Sequence, residues 1–182
     1  SGKSVTQGIS LNFNSVFQNG LRISLGATYI DSYIDSKGLK TIPYLTEKFQ
    51  GVWNIKYEFQ KSNITLDFTG TITGPLKLPL LGDLDPRSQF SPTFNIINLQ
   101  LTKEWNNSYE LYGGVKNILN FTPADNSIAR AFDPFDREVK FDTSGAAQVS
   151  PGNPYALTFD PSYVYASNQG SRFFIGFRYY LN

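Results

Sequence analysis

The sequence predicts an all-β chain, an antiparallel transmembrane β-barrel segment of about seven strands. Three observations predict it. Long stretches alternate apolar and polar at every second residue, which puts one set of side chains on each face of a strand. The connections alternate between tight turns and long loops, as in barrels with short turns at one rim and long loops at the other. The last stretch alternates up to the chain end, with Phe173, Ile175, Phe177, Tyr179 and Leu181 on one face and Arg172, Gly176, Arg178 and Asn182 on the other.

Composition narrows the function classes. The chain has 182 residues with 16 Lys+Arg against 15 Asp+Glu, no Cys and no His. Such a balance gives no case for a nucleic-acid partner. Without Cys there is no disulfide framework and no thiolate nucleophile. Without His there is no Ser-His-Asp triad and no His-ligated zinc. A barrel lipase is disfavoured for the same reason, since its general base is normally His. No enzymatic activity, cofactor or metal is expected. No run of about 18 apolar residues is present, so no transmembrane helix is expected. The 15 Phe, 11 Tyr and 2 Trp suit strands that meet lipid at alternate positions.

The first strand, near 5–18, groups Ile9, Leu11, Phe13 and Phe17 against Ser10, Asn12 and Asn14. Gln18-Asn19-Gly20 turns the chain, with Gly20 suited to positive φ. The second strand, near 21–34, groups Leu21, Ile23, Leu25, Ala27, Tyr29 and Tyr33. Keeping both apolar sets on one face needs a three-residue loop, with Phe17 opposite Leu21 and Phe13 opposite Leu25. A long loop follows near 35–44. The third strand, near 46–60, and the fourth, near 63–73, meet at Lys61-Ser62. That register sets Tyr57 opposite Leu66 on the apolar face and Lys56 opposite Asp67 on the polar one, a favourable cross-strand pair.

Residues 74–92 form the second long loop, where Pro75, Pro79, Pro86 and Pro92 exclude a central strand. The fifth strand, near 93–105, points Ile97, Leu99, Leu101 and Trp105 outward, but Phe94 and Ile96 fall in the opposite phase. A bulge near Ile96-Ile97 is the expected remedy. After the turn Asn106-Asn107-Ser108 the sixth strand, near 109–118, points Tyr109, Leu111 and Val115 outward. A third long loop, near 119–170, leads to the last strand, near 171–182.

Charges fall on the polar face: Arg22, Lys56, Glu58, Asp67, Glu104, Glu110, Lys116, Arg172 and Arg178. Asp31 and Lys103 break the rule, and both are expected near strand ends, where a side chain can snorkel. A lipid-facing Arg or Lys at the bilayer midplane costs about 2–4 kcal/mol, so the sorting fits a barrel, and Ile175→Arg is expected to block assembly while Gly176→Arg is milder. Aromatics gather at the short-turn rim as an interfacial girdle: Phe17, Tyr57, Phe59, Trp105, Tyr109 and Tyr179. The competing reading is a soluble secreted β-sandwich that binds glycan or protein, which also has one apolar and one polar face. Strands of ten or more residues, where five or six is usual, weigh against it. An open sheet of seven strands would leave two long edges and an apolar face bare. Such barrels close on even counts, so the chain is expected to be the C-terminal part of a larger barrel.

The stretch Tyr109-Glu-Leu-Tyr-Gly-Gly-Val-Lys-Asn-Ile-Leu-Asn-Phe-Thr-Pro123, followed by a long loop and a final aromatic strand, resembles the end of TonB-dependent outer-membrane receptors. The likeness centres on Gly114-Val115-Lys116-Asn117-Ile118-Leu119-Asn120. Asp160 to Gly170 and Gly74 to Pro79 look like the vitamin-B12- or colicin-receptor-like subgroup. The resemblance implies a barrel of about 22 strands, of which these are the last seven, in the outer membrane with the C-terminus periplasmic. It also implies uptake of a scarce nutrient. The partners would be the rest of the barrel and its plug domain, the TonB complex acting through that plug, and outer-membrane lipids. The plug and the TonB box are not in this sequence.

In the long loops, Arg87, Arg130, Arg137, Tyr155, Tyr163 and Tyr165 are the candidate substrate contacts, and the tyrosines also suit a surface lipoprotein. Asp83, Asp85 and Asp136 offer oxygen ligands of the kind calcium takes, but their spacing matches no EF-hand, and Asp-Pro pairs are ordinary turn formers.

Overall fold

The computed structural model describes residues 2–80, 87–106, 108–123, 140–144, 147–149 and 164–181. Its main element is one antiparallel sheet. In chain order the strands are β1 (Lys3–Val16), β2 (Leu21–Ser36), β3 (Leu39–Thr41), β4 (Phe49–Phe59), β5 (Ile64–Thr73), β6 (Phe94–Trp105), β7 (Tyr109–Lys116), β8 (Lys140–Phe141), β9 (Ala147–Gln148) and β10 (Arg172–Tyr179). The spatial order is β1-β2-β4-β5-β6-β7-β10, with β3 added to β2, while β8 and β9 form a separate two-stranded ribbon. Each long strand thus pairs with the long strands before and after it in the chain.

The register follows from face sorting. Phe13 pairs with Leu25, and the amide of Phe17 donates to the Leu21 carbonyl at 2.8 Å. Tyr57 pairs with Leu66 and Lys56 with Asp67. Turn chemistry supports each short link: Gly20 has φ +89, while Asn63 and Asn106 hold the left-handed conformation that asparagine tolerates better than most residues. A Cβ on Gly20 would stand 2.5 Å from the Glu58 carbonyl, whereas Gly38, also at positive φ, has nothing within 4 Å. Gly20→Ala is therefore expected to lower the urea unfolding midpoint more than Gly38→Ala. The second carries only the backbone strain of about 1–2 kcal/mol. Equal shifts would mean that the Glu58 strand gives way at no cost.

Three features differ from the sequence expectation. The first long loop contains β3, which folds back on the end of β2 through Lys37-Gly38, both at positive φ. That geometry matches the right-handed twist of a hairpin. Consequently β2 runs on to Ser36, and Asp31 lies inside it rather than near its end. β4 pairs with β2 only as far as Tyr29, so Asp31 belongs to a hairpin that stands beyond the rest of the sheet. Its carboxylate accepts the Gln7 side-chain amide at 3.2 Å.

Secondly, β6 has no bulge: its pairing with β5 runs unbroken from Ile64–Lys103 to Thr73–Phe94. Phe94 and Ile96 face inward instead, because the second long loop supplies an apolar surface there. Thirdly, Gly176 is not an open inward position. A Cβ there would meet the Tyr112 ring at 2.3 Å, so Gly176→Arg would test crowding as well as facing.

Candidate functional site: the inner face and its outer rim

The inner face is polar by construction. One cross-strand row runs Arg22, Lys56, Asp67, Gln100, Gly114 and Phe174. Glu58 accepts two cations, Arg22 at 3.3 Å and Lys56 at 3.4 Å. Lys56 thus reaches along its own strand, although its backbone partner is Asp67. At the short-turn mouth Glu104 stands opposite Glu110, and Arg178 meets Glu110 at 2.8 Å. The Tyr180 hydroxyl donates to the other Glu110 oxygen at 2.9 Å. The two pairs on Glu58, solvent-accessible on both partners, contribute only about 0–1 kcal/mol each, so they set local charge more than stability.

Between these groups lies a concavity of about 520 Å³ lined by Asp67, Thr69, Asn98, Gln100, Lys116 and Phe174. The Asn98 amide donates to Thr69 at 3.3 Å, and the Gln100 amide to Thr102 at 3.1 Å. Lys116 stands 5.6 Å from the Phe174 ring centre and Arg178 5.3 Å from that of Tyr112. Two aromatic faces therefore carry two cations in a file along β7 and β10, an arrangement favourable by cation–π attraction. The surface offers ion pairs, amides and hydroxyls. Among the described residues no group of three or more acidic side chains is placed to hold a metal ion.

At the long-loop rim the face turns apolar. Leu76, Leu78 and Phe94 are buried, Leu78 completely, and Leu80, Ile96, Phe121, Tyr165 and Ala166 pack against them. Phe121 stacks on Phe94 with ring centres 4.8 Å apart and planes 4° apart. The loop reaches this position through short bridges, Glu47 with Leu76 and Lys77 with Phe90. Ser91 ties the base, its hydroxyl accepting the Leu76 amide at 3.0 Å and its amide donating to the Leu76 carbonyl at 2.9 Å.

The corner after β7 is organised by Asn117, which is buried and has φ 52. Its amide group donates to the Phe121 carbonyl at 2.7 Å and to the Gln169 carbonyl at 3.4 Å, while its oxygen accepts the Phe121 amide at 3.0 Å. Its backbone N–H donates to the Asn98 side chain at 3.1 Å. The Ser171 hydroxyl reaches its carbonyl at 2.6 Å. Asn120 adds a second tie, accepting the Ser171 amide at 2.8 Å. The stretch Gly114–Asn120 is thus a device joining β6, β7, the third loop and the start of β10. Sequence reading located the stretch as the end of a strand and missed the buried amide. An asparagine two residues beyond a strand's last outward position was the available signal.

Of the candidate substrate contacts, Arg87 is buried and Tyr165 packs in the apolar rim, 5.7 Å from Phe94 and 6.5 Å from Phe121. Arg130, Arg137, Tyr155 and Tyr163 lie outside the described residues, as do Asp83, Asp85 and Asp136. The aromatic rim residues sit on the outward face at the short turns. Phe17, Phe59, Trp105, Tyr109 and Tyr179 are exposed. Tyr57 packs edge-on against Phe59 at 4.6 Å and Tyr109 against Tyr179 at 5.0 Å.

These features define a segment of an antiparallel β-barrel wall, charged inside and apolar outside. The fold aligns with the crystal structure of the siderophore receptor PiuA from Acinetobacter baumannii, with a TM-score of 0.58 and 14% sequence identity. The alignment covers 98% of this chain and 22% of that one, so the chain spans about a fifth of that receptor's length. No family model and no curated protein sequence matches the chain.

Proposed function

We propose that this chain is part of the wall and outer loops of a TonB-dependent outer-membrane receptor that takes up a scarce nutrient, with its short turns and C-terminus periplasmic. The observation that carries this reading is the outward face. Ile9, Leu11, Phe13, Leu101, Phe173, Ile175 and Phe177 are all exposed, the last three between 61% and 84%. The accessible surface is 12156 Å², against about 8,800 Å² for a folded soluble chain of this mass. A soluble β-sandwich would bury that face against a second sheet; among the described residues the second sheet is the ribbon of β8 and β9, two residues per strand, too small to cover it. The open edges at β1 and β10 fit a larger barrel, of about 22 strands by the family resemblance. The rest of the barrel and a plug domain would cover them and fill the lumen.

The name of the structural neighbour makes a ferric siderophore the first cargo to assay, and the resemblance of the loop stretches makes vitamin B12 the second. The test uses the full-length protein in a bacterium lacking its own uptake systems, with growth measured on each cargo in the presence and absence of TonB. Growth on one cargo, lost without TonB, is the expected result. Growth that persists without TonB would remove the energised mechanism. Recovery of the protein in the soluble fraction would remove the membrane reading altogether.

A further inference from the structure

The outward face carries a charge where the aromatic rim begins. Among the outward positions of β4, β5, β6, β7 and β10, Lys103 is the charged residue. Its backbone neighbours are Ile64 and Leu111, so its stem lies among apolar side chains. The ammonium leaves them: it donates to the Ser62 carbonyl in the adjacent turn and stands 5.6 Å from the Trp105 ring centre. Among the described residues nothing acidic neutralises it from the same face. Glu104 and Glu110 are one residue out of phase on their strands and point into the lumen, and Glu110 is held there by Arg178. On the side of Ser62 toward the turn between β1 and β2, a depression of about 320 Å³ is lined by Asn19, Tyr57, Glu58, Phe59, Gln60 and Lys61. The Glu58 carboxylate already holds Arg22 and Lys56.

We propose that Lys103, with the Trp105 ring, forms a binding site for the phosphate of an anionic phospholipid headgroup in the leaflet at the short-turn rim. The proposal rests on the membrane-wall reading. An ammonium has three donors; Ser62 takes one, and the others face the level at which headgroup phosphates lie beside an aromatic girdle. The apolar surface of Ile64, Leu101 and Leu111 continues above the cation, so the acyl chains of the same lipid find contact as its phosphate is held. Cation, ring and apolar wall together match a whole phospholipid better than a free anion.

The experiment places the full-length protein in detergent, adds back phosphatidylglycerol, and counts retained lipid by native mass spectrometry. Lys103→Gln is expected to lower retention about five-fold, the equivalent of the ~1 kcal/mol that one basic residue gains near an anionic surface. Lys103→Arg should keep it, and Lys40→Gln, a cation on the β3 hairpin beyond the other end of the sheet, should leave it unchanged. Retention indifferent to Lys103→Gln overturns the site while leaving the membrane reading intact. Displacement of the lipid by millimolar inorganic phosphate also overturns it, because the site would then be a simple anion site. Failure of the unmodified protein to retain any phospholipid would instead count against the membrane reading itself.

Discussion

Leu99→Arg is expected to abolish assembly of the full-length protein in the outer membrane, while Gln100→Arg at the next residue assembles normally. Both lie on β6, which has neighbours on both sides, so neither result depends on an open edge. Leu99 pairs with Phe68 and Val115 on the outward face. It is six residues from Trp105, roughly 20 Å along the strand, which places it near the bilayer middle for a strand tilted by about 45°. Arginine there costs about 2–4 kcal/mol. Gln100 lies in the inner row beside Asp67, where an arginine meets water and a carboxylate. The measurement is the fraction of protein that runs as a folded, heat-modifiable band from the outer-membrane fraction. Equal amounts for the two variants would refute the facing of β6 and, with it, the barrel reading. This pair replaces Ile175→Arg and Gly176→Arg, because Tyr112 occupies the space above Gly176.

Asn117→Ala should destabilise the long-loop rim by about 2–5 kcal/mol. The substitution leaves the Phe121 amide and carbonyl without their side-chain partners, and a buried polar group left unsatisfied costs about 1–3 kcal/mol. Alanine must also hold a left-handed backbone at φ 52, for about 1–2 kcal/mol more. Asn117→Gly separates the two causes, since glycine relieves the backbone strain and restores none of the hydrogen bonds. It is expected to recover only that smaller part. Hydrogen exchange at the amides of Phe121 and Ser171 reads the effect locally, and the denaturant midpoint reads it globally. Unchanged protection in the alanine variant would mean that Asn117 is a passenger in the corner.

The inner face and the outward face have different energetic characters. The ion pairs that Glu58 makes on the inner face, with Arg22 at 3.3 Å and Lys56 at 3.4 Å, are solvent-accessible and cost little to break. That suits a surface that must meet a mobile or exchangeable occupant. The long-loop rim is built on buried contacts among Leu76, Leu78, Phe94 and Phe121, which hold the second loop against the sheet.

The alternating period, the tight turns and the sorting of charge were legible in the sequence, because each is a local property. A strand shows its two faces every second residue, and Gly20 or an asparagine marks a turn by its own backbone freedom. Register was legible too, since a one-residue slip would turn every apolar side chain of Phe13 or Leu66 to the wrong face. What the tertiary structure decided depends on segments far apart in the chain. Phe94 and Ile96 face inward because Leu76 and Leu78 arrive there from another loop. Asn117 is a hub because Gln169 and Ser171 return to it. Lys103 is drawn to the rim by a carbonyl on the neighbouring hairpin. No period or turn residue encodes such meetings; they are set by which elements the folded sheet and its loops bring side by side.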